Sequence, residues 1–340
     1  MLTVITRRCG TITGYITAIW GAGKLVASQL VVRRTLIVAK MSQPDYVQEF
    51  NKNGYAVIPN FLSPQEVVAL KSAMARIIDE MDPKDHSRHI FHHPDQESTH
   101  SQTKSDSFDD YFLNSGDKVR FYFEPKAVRE DGSLTVPKDR AISRAGYAIG
   151  WLEPAFKKVT FSEKIKDICR MMGLVDPRLV QSVYLFKNPL LGQKVTTHQD
   201  STFQNVDPPE KLLGFWIALD DAAVENGCLH FMPGTQHVPP TCHFIRNPNP
   251  TPGKLTMMRG AEPDEKEFPL ERFKPAPVSK GSLVLIHGNV IHKSEDNTSD
   301  KPRNAYTFHV VDFNNARYSP ENWLQPTEAM PFPKLYEVQV

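Results

Sequence analysis

Four cysteines in 340 residues (Cys9, Cys169, Cys228 and Cys242) show no C-x-x-C and no framework spacing, which excludes a disulfide scaffold and a thiolate zinc module. They suit a reducing compartment, and equally four small buried hydrophobes. There is no run of basic residues, and the net charge is only +1, so a nucleic-acid partner is not expected. No apolar stretch is long enough to span a bilayer: Ile12–Ala22 is short and Lys24 follows it, so no membrane insertion is expected. No internal repeat is visible. The final tripeptide, Val338-Gln339-Val340, is not the peroxisomal S-K-L. The first forty residues lack acids altogether while holding Arg7, Arg8, Lys24, Arg33, Arg34 and Lys40. Residues 1–40 therefore read as a mitochondrial presequence or a dispensable extension ahead of Met41, and 41–340 as one domain. The protein is expected inside the cell, in the cytoplasm or, if the leader acts, in mitochondria. No protein partner is evident.

What is present is an ordinary globular composition, 40% hydrophobic and 23% charged, sufficient for a sizeable core. Pro44–Asn53 reads as a short helix stopped by Gly54, and Tyr55–Phe61 as a strand. Ser63, Pro64 and Glu66 form a capping box with proline at the first helical position. Val67, Leu70, Met74, Ile77, Ile78 and Met81 then recur at helical spacing, so this helix should pack on something large and flat. Pro83–Asp110 is polar, histidine-dense and without periodicity, a loop or lid. From Arg178 the pattern turns to strands: Arg178–Pro189, Leu212–Ala222, Gly227–His237, Gly281–Ser294 and Arg303–Phe313, with Gly and Pro between them. Strands with few helices between them imply a sandwich or barrel, mostly β with flanking helices.

His-x-Asp occurs as His93-Pro-Asp95 and as His198-Gln-Asp200. The first has a proline at its centre and no strand around it. The second follows an alternating strand after a short turn. Residues i and i+2 of a strand share a face about 7 Å apart, so His198 and Asp200 could converge on one cation. A third ligand must come from elsewhere, and Gly281–Ser294 offers His287 and His292, which differ in parity across a Gly-Asn turn. Two imidazoles and one carboxylate with open positions suit a non-haem Fe(II) oxygenase; zinc hydrolysis uses similar ligands and stays open here. Arg303, eleven positions after His292, suits a further task. Such oxygenases take 2-oxoglutarate, whose distal carboxylate needs a fixed bidentate cation.

The order His198-x-Asp200, His292, Arg303 resembles the phytanoyl-CoA dioxygenase family, as does the opening NGYAVIPNFLS; the segments SGDKVRFYFE, GFWIALDDAAVENGCLHFMPGTQH, SLVLIHGNVIHKS and YSPENWLQPTEAMPFPKLY are similar in turn. The resemblance runs from Met41 to Tyr336. It implies a double-stranded β-helix (jelly roll) with helices buttressing one sheet. It implies Fe(II), 2-oxoglutarate and O2, with ascorbate in support, and hydroxylation of a small molecule. It assigns the third ligand to His292 and leaves His287 as a neighbouring core group. By position it also places Arg144, Val183 and Trp216 in the co-substrate pocket, where the family usually has lysine for Arg144 and often methionine for Val183. A jelly roll that only binds ligand, without turnover, is the alternative from another class.

Overall fold

The computed structural model describes residues 44–86, 111–251, 254–261 and 268–340. The leader 1–40 and the histidines from His89 to His100 lie outside the described residues. Among the described residues no helix is long and apolar enough to cross a membrane, and Cys169, Cys228 and Cys242 are buried free thiols.

Helix α1 (Asp45–Asn53) buries Val47 and Phe50 and ends at Gly54. Gly54 has φ 81° and donates to the Phe50 carbonyl at 2.8 Å; a Cβ there would lie 2.8 Å from Gln236 Oε1 and 2.9 Å from Val290 Cγ2. Only glycine combines that backbone with that crowding. Helix α2 (Pro64–Glu80) starts with the expected capping box: Ser63 Oγ accepts from the Glu66 N–H at 3.2 Å, and Glu66 Oε2 accepts from the Ser63 N–H at 2.7 Å.

The strands are β1 (Tyr55–Ile58), β2 (Val119–Phe123), β3 (Ile142–Tyr147), β4 (Pro177–Leu185), β5 (Val195–His198), β6 (Val206–Asp207), β7 (Leu212–Ala218), β8 (Leu229–Phe231), β9 (Cys242–Thr251), β10 (Lys254–Gly260), β11 (Lys274–Ala276), β12 (Leu283–His287), β13 (His292–Ser294), β14 (Ala305–Asp312) and β15 (Arg317–Tyr318). The major sheet has the order β1-β12-β7-β14-β4-β3-β2 and the minor sheet β11-β8-β13-β5, with all neighbours antiparallel. β9 and β10 form a separate hairpin, and β6 pairs with β15.

Alternation along the major sheet sends one set of side chains to each face. Phe215, Ile217, Leu283, Leu285, Tyr306 and Phe308 point outward and pack with Phe50 of α1 and with Val67, Leu70, Met74 and Ile78 of α2. Helices α3 (Pro154–Thr160) and α4 (Glu163–Met171) close the same face through Phe156, Val159, Ile165 and Ile168. The flat partner expected for α2 is this sheet. Trp216, Ala218, Val284, Ile286 and Ala305 point inward and meet Leu229, Phe231 and Ala276 of the minor sheet. Two facing antiparallel sheets with helices buttressing the larger one make a jelly roll, the double-stranded β-helix expected from the sequence.

Gly281–Ser294, read as one strand segment with a turn, divides between the sheets. β12 lies in the major sheet and β13 in the minor, and Gly288-Asn289 carries the chain across. This passage separates the two candidate histidines.

Candidate functional site

His198 ends β5 and His292 begins β13, directly opposite each other in register. Their ring centroids are 4.2 Å apart. Asp200 Oδ1 lies 3.8 Å from His198 Nε2 and 3.7 Å from His292 Nε2. The ligand atoms of the three residues all fall within 4.8 Å of one another. His287, at the end of β12, is outside this group: it packs against Phe50 at 5.9 Å, and its Nδ1 accepts from the Asn289 N–H at 3.0 Å. It is half-buried between α1 and the turn that follows β12.

One local expectation needs correction. His198 and Asp200 do not share a strand face. β5 stops at His198, and Asp200 opens a helical turn, Asp200–Phe203. Anchors on both sides explain why the turn is rigid. Gln199 Nε2 donates to the carbonyls of Val238 and Asn289, each at 2.7 Å. Ser201 donates through its N–H to Gly288 O at 2.9 Å and through Oγ to Asn289 Oδ1 at 2.6 Å. The turn carrying Asp200 is thus tied to the turn that leads into His292.

The histidine tautomers follow from their partners. His198 Nδ1 faces Thr196 O at 2.8 Å and His292 Nδ1 faces Val290 O at 2.9 Å. A carbonyl only accepts, so each Nδ1 carries a proton, and each Nε2 is directed to the gap shared with Asp200. That is the arrangement a metal-ligating imidazole needs. Burial would raise the Asp200 carboxyl, but His309, His292 and His198 around it prevail and hold it well below the usual carboxylate range. The donor set, two imidazole Nε2 atoms and one carboxylate oxygen, fits a ferrous ion.

The inner face of the major sheet forms the wall behind these groups. Val183, Thr307 and Trp216 are consecutive cross-strand partners on β4, β14 and β7, and Arg144 on β3 pairs with Leu185 on the same face. Val183 is buried beside Tyr147, Trp323 and Phe112. Arg303 precedes β14 and is 2% exposed. Its N–H donates to Lys187 O at 3.1 Å, its Nε donates to Gly227 O at 3.0 Å, and its guanidinium stands 5.5 Å from the Trp216 ring. Burial lowers Arg303 to about 10, leaving it a cation at neutral pH. Among the described residues no carboxylate forms an ion pair with it. Val183, Trp216 and Arg144 thus lie on the inner face of the major sheet, and Arg303 stands beside Trp216.

Three titratable residues nearby carry no sequence signal of their own. Burial pushes the Lys187 ammonium well below its ordinary value, with Arg303 adding to the effect, and its Nζ donates to Gln193 O (3.0 Å), Ser294 Oγ (3.0 Å) and Glu295 O (2.5 Å). Burial raises Glu124 to about 7 against the pull of Arg144 and Lys187. His309 on β14 places Nε2 3.1 Å from Asp200 Oδ2. Parity could have found His309: positions 303, 305, 307 and 309 fall on one side of the strand.

A jelly roll whose minor sheet brings two histidines and one carboxylate together defines the class. The particular family follows from comparison. The chain matches the family described as phytanoyl-CoA dioxygenase (PhyH) over residues 50–305, and it belongs to that family. It is 45% identical over 295 residues to the phytanoyl-CoA dioxygenase domain-containing protein 1 homolog of Caenorhabditis briggsae, covering 86% of this chain and 99% of that protein. It is 44% identical over 290 residues to phytanoyl-CoA dioxygenase domain-containing protein 1 of Danio rerio, covering 85% and 97%. Among solved structures it is similar to the epimerase SnoN in complex with Fe3+, alpha ketoglutarate and nogalamycin RO (TM-score 0.54, 16% identity, 85% of this chain and 97% of that one). It is also similar to EctD from S. alaskensis with 2-oxoglutarate and 5-hydroxyectoine (TM-score 0.52, 17% identity, 80% and 77%). At such identities these two structures support the fold.

Proposed function

We propose that the protein is an Fe(II)- and 2-oxoglutarate-dependent dioxygenase that hydroxylates a small organic substrate, with His198, Asp200 and His292 as the metal ligands. The observation that carries this reading is the convergence of their ligand atoms within 4.8 Å, with both Nδ1 protons already committed to backbone carbonyls. Bound there, iron with 2-oxoglutarate supplies the O2-dependent decarboxylation of the keto acid to succinate and CO2, coupled to oxygen insertion into a C–H bond.

The chain's own residues have separate tasks. His198 and His292 offer Nε2 lone pairs, and Asp200 offers one carboxylate oxygen and offsets part of the metal charge. Arg303 binds the distal carboxylate of 2-oxoglutarate as a bidentate donor, held in place by Gly227 O and the Trp216 face. Arg144, Val183 and Trp216 line the co-substrate pocket, and the apolar pair excludes water from the reacting end. Membership of the family and an ionised, buried Asp200 support the same reading.

The test is protein prepared without oxygen, then assayed with Fe(II), 2-oxoglutarate and ascorbate for succinate release. Wild-type turnover that vanishes in Asp200→Ala and Arg303→Ala is the expected result. Equal turnover in both variants would remove the basis of the assignment.

A further inference from the structure

The two oxygens of Asp200 face different partners. Oδ1 faces His198 and His292, while Oδ2 faces His309 Nε2 at 3.1 Å. A carboxylate is an acceptor only, so His309 Nε2 carries the proton and donates. Among the described residues His309 Nδ1 is buried without a hydrogen-bond partner, so Asp200 is the contact there that orients the ring. The backbone is arranged around this contact. The β14–β4 register shifts between His309 and Val310, and such a bulge re-aims the adjacent side chain. Opposite His309 on β7 stands Gly214, where a Cβ would come within 3.2 Å of Asp200 Oδ2.

We propose that His309 is a positioning residue that occupies the outer oxygen of Asp200 and so keeps this carboxylate a single-oxygen ligand. The proposal rests on the metal assignment above. Its consequence is a count of positions. A six-coordinate metal ion held by three protein atoms would have three places left, enough for a chelating 2-oxo acid and O2. A carboxylate free to rotate and bind through both oxygens would take one of them. The hydrogen bond from His309 removes that option, because turning Oδ2 inward breaks it and leaves a buried N–H unpaired.

The experiment compares wild type, His309→Gln and His309→Leu in anaerobic titrations with Mn(II), followed by 2-oxoglutarate added to the Mn(II) protein, with thermal melts recorded alongside. Glutamine keeps an N–H donor at similar reach; leucine has none. Loss of an outer-shell partner costs about 10–100-fold in metal affinity, and that is the expected loss in His309→Leu, with weaker 2-oxoglutarate binding as well. His309→Gln should stay within about threefold of wild type by the same reasoning. Equal affinities in all three proteins would overturn the proposal. So would an equal loss in both variants at unchanged melting temperature, since ring packing would then matter and the donated hydrogen bond would not. If His309→Leu fails to fold, His309→Asn, whose donor is too short to reach, replaces it with the same expectations. Failure of wild type to bind Mn(II) would instead refute the metal assignment, a distinct outcome.

Discussion

Replacing Arg303 by alanine removes the only charge proposed to bind the far end of 2-oxoglutarate. The guanidinium is buried at 2% exposure, fixed by Gly227 O at 3.0 Å and set beside Trp216, so it is pre-organised and little ordering remains to oppose binding. A hydrogen bond to a charged group contributes about 1.5–3 kcal/mol net. Taking about 3 kcal/mol for the bidentate pair predicts roughly 150-fold weaker 2-oxoglutarate binding. Arg303→Lys keeps a charge but loses the fork, and burial would depress the ammonium, so an intermediate loss of about tenfold is expected. The assay is calorimetric titration of 2-oxoglutarate into the anaerobic Mn(II) protein. Pyruvate, a 2-oxo acid without the distal carboxylate, supplies the other arm of a double-mutant cycle. It should bind wild type and Arg303→Ala equally. Binding of 2-oxoglutarate by Arg303→Ala within threefold of wild type, or an equal loss for pyruvate, would refute the reasoning.

Glu124 is raised from 4.5 to about 7, so the folded state prefers its protonated form and stability from this group is full below the lower value and lost as pH rises through the upper one. A difference of that size corresponds to at most about 3 kcal/mol; Glu124→Gln should flatten the fall in denaturant stability between pH 5 and pH 8, and an unchanged slope would contradict this. Gly214→Ala puts a methyl 3.2 Å from both Asp200 Oδ2 and Ile286 Cβ in a central strand; a stability loss of about 1–3 kcal/mol is expected, accompanied by weaker Mn(II) binding in the same titration. Ser63→Ala removes the acceptor for the Glu66 N–H at the start of α2 and should cost about 1 kcal/mol in a urea melt without altering metal affinity.

Much of the fold was legible where side-chain chemistry acts locally. The Ser63–Glu66 box and the apolar stripe from Val67 to Ile78 located α2 and its buried face. Alternation along Arg178–Pro189 implies opposite faces for Val183 and Tyr184, and they lie in separate clusters. The site was legible as types and order of residues, with the resemblance selecting His292 over His287. What escaped was set by tertiary anchoring. Asp200 is held by a turn, not a strand, because Gln199 and Ser201 bind the 288–289 backbone. The β9–β10 hairpin was missed because Pro248 and Pro250 argue against a strand; it survives as a two-stranded edge. Helix α4 shows a local signal only in Ser162, which caps it by accepting from the Ile165 N–H at 3.4 Å. His309, Lys187 and Glu124 carry no motif; only the register of β14 with its neighbours, and burial, reveal their part.

The central claim is that His198, Asp200 and His292 together hold one divalent metal ion. Anaerobic titration of the full chain with Mn(II) tests it most directly. The account predicts one strong site per chain, abolished in both Asp200→Ala and His292→Ala and retained in His287→Ala. Wild-type affinity and stoichiometry in the first two variants would contradict it.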